Sequence, residues 1–311
     1  MLSINHHPKR RGLSMRHINI QIIVKSVIIT WFIAFSFVHV HPSFAQTRDI
    51  TPLSINIPCE GHYIKGLFYP GNKNADSYTA ILLHGFPSNL GDLFGLGESL
   101  SRAGIHALTF TYSGIQPSEG INTYAGALKD IRAAIVYLSQ SEIMKPYNID
   151  TSRIILIGHC YGGSMVLNYA IRNLNIKRVI ALEPAEPGEF SRQYLNNKKL
   201  AATLDSVFDA QMQPNGPVNF RGKEDLREQV RDPKQYDLVL NAPKIADRDI
   251  LLVTGWNDNL TTTEGHHIPF YRELIKAGAS NVKFVAFQTN HGFKYVQNEM
   301  TTEVIQWILS R

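Results

Sequence analysis

The sequence lacks the motifs of several large protein classes. It contains no phosphate-binding loop of the Walker type, and no G-x-G-x-x-G follows a predicted strand, so we expect no nucleotide cofactor. It contains no internal repeat and no low-complexity tract. Its composition, 44% hydrophobic and 18% charged over 311 residues, is that of a globular protein. This length and composition predict one large domain, or two small ones, with little disorder.

Cysteine is scarce, with only Cys59 and Cys160 in the chain. Their spacing fits no zinc motif, and the adjacent His266 and His267 would point about 100° apart on a helix, so we predict no metal site. We expect no disulfide, because Cys59 lies in the region of the first predicted strand, which should be at the far edge of the sheet. Cys59 is interpreted as a small buried apolar residue.

Acidic residues are absent from residues 1–45, which hold five of the 31 basic residues. The net charge of +5 therefore belongs to this segment, because the rest of the chain carries 26 residues of each sign. Because residues 46–311 carry no net charge, they lack the excess of basic residues typical of proteins that bind nucleic acid or an anionic membrane. We therefore expect neither as a partner of the domain.

Residues 1–45 have the pattern of a targeting segment. Basic residues come first, an apolar run extends from Ser26 to Val40, and small residues precede a predicted cut after Ala45. The run is shorter than the roughly 20 residues of a spanning helix. An uncleaved anchor and a core helix are the competing interpretations, and Met15 is an alternative start. We expect export, to the periplasm or the medium if the source is bacterial, with membrane contact only through an uncleaved leader.

Strands alternate with helices after the leader, which predicts an α/β fold with a mostly parallel sheet flanked by helices. The predicted strands are Leu53–Ile57, His62–Tyr69, Tyr78–Leu83, His106–Phe110, Arg153–Ile157, Val179–Leu182, Ile250–Thr254 and Val282–Phe287. The predicted helices are Tyr124–Ser139, Tyr161–Arg172, His267–Ala277 and Glu303–Leu309.

One polar stretch, residues 188–247, interrupts this alternation. About 60 residues between two core strands is too long for a plain loop. We interpret the stretch as a small helical cap over the site, within a domain that spans residues 46–311. A disordered insertion is the alternative.

The segment Gly158-His159-Cys160-Tyr161-Gly162-Gly163 has the pattern of a nucleophile elbow, with cysteine at the reactive position. An apolar strand precedes it and a helix-forming run follows, so strand and helix backbones must pass close together at the glycines. The helix N-terminus favours a thiolate at Cys160. The alternative is a glycine-rich turn that carries an incidental buried cysteine.

A base and an acid follow in the chain order that such a nucleophile requires. His291 comes directly after the last predicted strand, and Asp258 follows the Ile250–Thr254 strand in the same way. Because functional groups of open α/β sheets gather at the carboxyl ends of the strands, we expect both beside Cys160. Glu183 is the rival acid.

Two backbone N–H groups are predicted to stabilise the oxyanion, those of Tyr161 and Phe86. Tyr161 opens the helix after the elbow. Phe86 lies in the loop His84-Gly85-Phe86-Pro87, where Gly85 lets the chain turn back over the site. We interpret His84 and His159 as structural histidines.

These motifs resemble the α/β-hydrolase superfamily over about residues 53–311. The resemblance rests on five segments in the right order: residues 84–87, 112–120, 158–163, 255–258 and 290–292. The second is similar to the R-G-x-G-x-S-x-G segment of the serine aminopeptidase-like and lipase-like branch, with Ser113 in place of its arginine. The cysteine at the elbow resembles the nucleophile of dienelactone hydrolases and polyhydroxyalkanoate synthases, which also have a cysteine at this position.

The resemblance implies an α/β-hydrolase fold of about eight strands and a triad of Cys160, His291 and Asp258. It also implies acyl transfer on a small-molecule ester, thioester or lactone through an acyl-enzyme. An acyltransferase or polymerase with the same triad is one alternative. A binding protein with a degenerate site is another, and the sequence does not determine the oligomeric state.

Overall fold

The computed structural model describes residues 50–310 except 73–76, 87–90, 92, 213–215, 222–223, 225–227 and 229–230. The predicted leader lies outside these residues, so its cleavage and its role stay predictions. Within the described part of the chain, no helix combines the length and apolar character needed to cross a membrane.

One eight-stranded sheet organises the described residues, in the order β1-β2-β4-β3-β5-β6-β7-β8. β1 pairs antiparallel with β2, and β2 antiparallel with β4, whereas all other neighbours are parallel. The predicted mostly parallel α/β sheet is therefore confirmed. The strands are Leu53–Cys59, His62–Tyr69, Thr79–Leu83, His106–Phe110, Ile154–His159, Arg178–Leu182, Asp249–Gly255 and Val282–Phe287, numbered β1 to β8.

Helices lie between the strands, and those of the described residues are numbered α1 to α9 in chain order. They are Leu96–Arg102, Tyr124–Gln140, Tyr161–Arg172, Pro187–Asn196, Lys198–Gln211, Pro233–Tyr236, Leu238–Asn241, Ile268–Lys276 and Gln297–Leu309. α1 was not predicted, because seven residues are too few to show a helical period. α9 begins six residues before the predicted start.

Apolar side chains fill both faces of the sheet. On the central strand β5, Ile155 and Ile157 pack into one buried cluster and Ile154 and Leu156 into the other. This division follows from the two-residue period of a strand, because successive side chains point to opposite faces. Burial on both faces explains why β5 is a continuous apolar run.

The polar stretch after β6 contains two well-formed helices, α4 and α5. The carboxylate of Glu186 accepts hydrogen bonds from two backbone N–H groups at the start of α4, and the Asn197 side chain does the same for α5. Pro187 occupies the first turn of α4, where its missing N–H costs nothing. Local capping signals thus explain why a polar segment is helical.

Both cysteines are free. Cys59 ends the edge strand β1, whereas Cys160 follows β5, four strand spacings away, which corresponds to about 19 Å across the sheet. Cys59 is buried, as expected. It belongs to the main hydrophobic cluster, and its thiol in addition donates a hydrogen bond of 3.2 Å to the Asp130 carboxylate, which the sequence did not predict.

Candidate active site

Cys160 occupies a strained turn between β5 and α3. Its φ of 54° and ψ of −116° are rarely adopted by a residue with a side chain, and such strain is typical of functional positions. The turn is held by hydrogen bonds from the Cys160 N–H to the Leu182 carbonyl (2.9 Å) and from the Ala185 N–H to the Cys160 carbonyl (3.1 Å). The neighbouring strand β6 therefore fixes the elbow.

The glycines around Cys160 are required by close backbone contacts. A Cβ atom on Gly158 would collide with the Gly162 carbonyl, and one on Gly162 would collide with the Leu83 carbonyl at the end of β3. Only glycine allows strand and helix to approach this closely. The steric role predicted for these glycines is confirmed.

His291 lies in the loop after β8 and donates a hydrogen bond of 2.7 Å from Nδ1 to Oδ2 of Asp258. Burial disfavours the imidazolium. Hydrogen bonds with Asp258 and Cys160, together with the charges of both partners, outweigh burial and raise the pKa of His291 to about 10. The structure thus brings together the three side chains that the sequence assigned to a triad.

Asp258 is buried and accepts four hydrogen bonds in all. Besides His291, the donors are the backbone N–H groups of Leu260 (2.7 Å) and Thr261 (3.1 Å) and the Thr261 hydroxyl (2.7 Å). Burial opposes ionisation, but these bonds and His291 hold the pKa of Asp258 well below its usual range. Asp258 is therefore a fixed carboxylate that orients His291.

Thr261 was missed by sequence reasoning. Its hydroxyl lies 3.3 Å from Nδ1 of His291 and 2.7 Å from Oδ2 of Asp258, so it braces the contact between acid and base. The available signal was the Asp-x-x-Thr spacing, since an aspartate commonly accepts N–H bonds from the residues two and three positions later.

Glu183, the rival acid, is fully buried but does not orient His291. Its Oε2 accepts a hydrogen bond of 3.0 Å from the Thr254 hydroxyl, and no hydrogen bond within the described residues joins it to His291. Burial, followed by the charge of Asp258, raises the pKa of Glu183 to about 9. Two adjacent carboxyl groups thus differ in charge at neutral pH.

His84 and His159 hold loops, as the sequence predicted. Nδ1 of His84 donates to the Gly85 carbonyl at 2.8 Å, and burial lowers the pKa of His84 to about 4. Nε2 of His159 donates to the His291 carbonyl at 2.8 Å, and burial lowers its pKa to about 3. Both are neutral at physiological pH, and His159 ties the elbow to the loop of His291.

The loop after β3 passes directly over the nucleophile. A Cβ atom on Gly85 would lie 3.0 Å from the Cβ of Cys160, which places the following residue, Phe86, beside the thiol. The N–H of Tyr161 opens α3 on the other side. Both residues line the same cavity as Cys160, and the oxyanion role of their N–H groups stays a prediction.

An apolar cavity of about 90 Å³ adjoins Cys160. Six aromatic rings contribute to its wall, two of them from α4 and α5. The lining residues are Phe86, Tyr124, Cys160, Tyr161, Ala185, Phe190, Leu204, Val207, Phe208, Phe220, Leu260 and Thr261. The site thus combines a thiol, a base and an apolar chamber.

Residues 80–304 match the model of the alpha/beta hydrolase family. The chain belongs to this family. Among curated proteins it is 29% identical over 111 residues to the uncharacterized protein YfhR of Salmonella typhi, an alignment that covers 35% of this chain and 36% of the relative. The alignment thus spans only about a third of that relative.

Solved structures with the same fold include several esterases. Est1E of Butyrivibrio proteoclasticus is 18% identical, with a TM-score of 0.61, over 83% of this chain and 98% of its own. The esterase Pf2001 of Pyrococcus furiosus is 20% identical, with a TM-score of 0.61, and the match covers 83% of this chain and 90% of the esterase. An acylaminoacyl peptidase of Pyrococcus horikoshii is 15% identical, with a TM-score of 0.60, over 83% and 41%.

Proposed function

We propose that the protein hydrolyses a carboxylic ester, thioester or lactone through Cys160, His291 and Asp258. The observation that carries the proposal is the linear chain of contacts from the strained elbow to the acid. Cys160 hydrogen-bonds to His291, and His291 donates at 2.7 Å to a carboxylate that four donors hold ionised. A nucleophile, a base and an orienting acid in series are the requirements of nucleophilic acyl transfer.

The reaction begins from a thiolate–imidazolium pair. The raised pKa of His291 favours its imidazolium form at neutral pH, and the pair forms when the Cys160 thiol gives its proton to His291. The Cys160 sulfur attacks the acyl carbon, and the Phe86 and Tyr161 N–H groups receive the oxyanion. His291 then protonates the leaving alcohol or thiol, and a water that gives its proton to His291 cleaves the acyl-thioester.

The cysteine favours esters and thioesters over amides. An alkoxide or thiolate departs easily from the tetrahedral intermediate, whereas an amine is a poor leaving group for a triad of this type. Among the structural relatives named above, Pf2001 is an esterase and the Pyrococcus horikoshii protein is an acylaminoacyl peptidase. The names of these relatives are consistent with the hydrolysis of acyl bonds. The thiol narrows the expected substrates to esters and thioesters.

The small cavity favours a short acyl group. A volume of about 90 Å³ lies well below the roughly 300–1,000 Å³ of a drug-sized site. Its apolar lining offers no charged partner for an acyl chain, and it includes the contacting rings of Phe208 and Phe220. We therefore assign α4 and α5 the role of a cap that limits acyl length.

Turnover of chromogenic esters by the wild type and by Cys160→Ala tests this function, with Cys59→Ala as the matched control. Activity should fall by about 10⁴-fold or more in Cys160→Ala and stay within about threefold in Cys59→Ala. Full activity in Cys160→Ala would eliminate the proposed nucleophile. No turnover in the wild type would favour a binding protein, and rates that rise with added alcohol would favour a transferase.

Export is proposed from the leader alone. N-terminal sequencing of the protein recovered from the source organism should find Gln46 as the first residue. Recovery of an intact N-terminus in the membrane fraction would support an anchor, and an intact N-terminus in the cytosol would contradict export.

A further inference from the structure

A second group of cysteine, histidine and aspartate lies at the edge of the sheet, away from the site described above. We call Cys59, His62, Ser113 and Asp130 the edge cluster. Cys59 and His62 are directly opposite each other on β1 and β2, flanking a two-residue turn. Asp130 comes from α2, and Ser113 from the loop after β4. Four separate segments therefore converge on this cluster.

The contacts of the edge cluster do not form a second triad. Nε2 of His62 lies 2.7 Å from the Ser113 hydroxyl, which resembles a serine–histidine pair. However, Asp130 accepts from the Ser113 hydroxyl (2.6 Å) and from the Cys59 thiol (3.2 Å) on the same oxygen, Oδ1. The acid thus faces the hydroxyl and the thiol instead of the far nitrogen of the imidazole, so Asp130 does not orient His62 as a base.

The same contacts suit a metal ion. The sulfur of Cys59, a ring nitrogen of His62 and a carboxylate oxygen of Asp130 all lie within 4.8 Å of one another. Zn–S and Zn–N distances of about 2.3 and 2.0 Å require ligand atoms about 3.5 Å apart, so small side-chain rotations suffice. One sulfur, one nitrogen and one oxygen ligand match the preferences of Zn²⁺.

The carboxylate of Asp130 is already oriented for such a role. The Ser113 N–H donates to Oδ2 at 2.8 Å, which fixes the carboxylate and directs Oδ1 towards Cys59. Outer hydrogen bonds of this kind orient ligands in metal sites. Among the described residues, no lysine or arginine forms an ion pair with this buried carboxylate. A bound cation would therefore add a counter-charge directly beside it.

A pocket of about 300 Å³ gives access to the cluster. All four cluster residues line it, and Glu60, paired with Lys129, lies at the same pocket. An ion can thus enter from solvent, and a water or the Ser113 hydroxyl can fill a fourth position.

We propose that the edge cluster binds one Zn²⁺ ion through Cys59, His62 and Asp130. The spacing of the two cysteines gave no sign of this site, because its ligands come from a hairpin and a helix some 70 residues apart. Bound zinc joins β1 and β2 to α2, and thereby stabilises the edge of the sheet that lies farthest from Cys160.

Calorimetric titration of ZnSO₄ into the metal-stripped protein tests the proposal. All variants carry Cys160→Ser, because the thiol and imidazole of the other site can also bind zinc. In the variant whose only substitution is Cys160→Ser, we expect one equivalent of Zn²⁺ to bind and to raise the melting temperature. Adding Cys59→Ser should weaken binding by about 100-fold or more, and His62→Gln similarly. Adding Glu60→Gln, a carboxyl group at the same pocket, should change it less than threefold.

Cys59→Ser keeps a donor for Asp130 and thus the apo fold, which circular dichroism checks. As a second readout, Co²⁺ added to Cys160→Ser should give a thiolate charge-transfer band in the near ultraviolet that Cys59→Ser lacks. Absence of both zinc binding and this band would overturn the proposal. Equal affinity in Cys59→Ser and Cys160→Ser alone would overturn it as well, and would leave the cluster as a hydrogen-bond network.

Discussion

The elbow and the edge cluster contain the same three residue types in different connectivity. At the elbow the contacts run in series, from Cys160 to His291 and from His291 to Asp258. In the edge cluster Asp130 contacts the Cys59 thiol directly, and His62 reaches it only through the Ser113 hydroxyl. Side chains in contact one after another, as at the elbow, can transfer a proton. Side chains that point towards one another, as in the edge cluster, can bind the same ion.

Electrostatics follow from this connectivity. Burial and then the Asp130 charge raise the pKa of Cys59 to about 12, which leaves it an unreactive thiol in the absence of a cation. At the elbow the carboxylate is separated from the sulfur by the imidazole, and the pKa of His291 rises to about 10 instead. The position of the acid relative to the thiol thus distinguishes the proposed nucleophile, Cys160, from the proposed metal ligand, Cys59.

After loss of Cys160 itself, the largest effect should come from Asp258, with the neighbouring Glu183 as its matched control. Asp258→Asn removes the ion that orients His291 and should lower kcat/KM by about 10²–10⁴-fold. Glu183→Gln should change kcat/KM by less than about threefold, because the raised pKa of Glu183 keeps its carboxyl neutral at pH 7. Ester turnover at pH 7 measures both. Equal losses would show that Glu183 shares the role of the acid.

The cavity wall should control acyl length. Phe208→Ala removes an α5 ring from the lining of the cavity beside Cys160, and should raise the octanoate-to-butyrate ratio of kcat/KM by about tenfold. Leu195→Ala, an exposed position on α4 outside the cavity lining, is the matched control and should leave the ratio unchanged. The cap role of α4 and α5 would be wrong if both variants behaved like the wild type.

The raised pKa of His291 should appear in the stability of the elbow. A folded-state pKa above the ordinary value of 6.5 stabilises the fold fully below pH 6.5, and this contribution disappears as the pH rises through about 10. The stability difference between wild type and His291→Gln in urea should therefore shrink between pH 6.5 and 10. A constant difference would argue against an imidazolium held by Asp258.

The smallest effect should come from the edge cluster in metal-free buffer. Cys59→Ala removes one buried hydrogen bond to Asp130 and should lower the free energy of unfolding by about 1–2 kcal/mol, with activity almost unchanged. Urea unfolding and ester turnover on the same sample provide both values. A large loss of activity would show that the two regions are coupled.

The elbow and the positions of the acid and the base could be predicted from the sequence, because the patterns that indicate them are local. The apolar run before Cys160, the flanking glycines, and the positions of Asp258 and His291 just after β7 and β8 each follow from strand and turn chemistry. The order of the strands along the chain then implied that the three residues meet.

Other features depend on tertiary packing and had no such signal. The convergence of Cys59 and Asp130 arises because α2 packs on β1, which no sequence spacing expresses. The bracing role of Thr261 and the neutral state of Glu183 also arise from burial in the folded chain. The helices of the polar stretch were expected only in outline, although Glu186 and Asn197 are recognisable capping residues.

The most direct test of the central claim is the location of the acyl group during turnover. Acid quenching in the presence of a chromogenic butyrate, followed by peptide mass spectrometry, should find a butyryl group on Cys160 and none on Cys59. The adduct should be absent from Cys160→Ala. A butyryl group on Cys59, or a burst of alcohol release with no adduct on Cys160, would contradict the account.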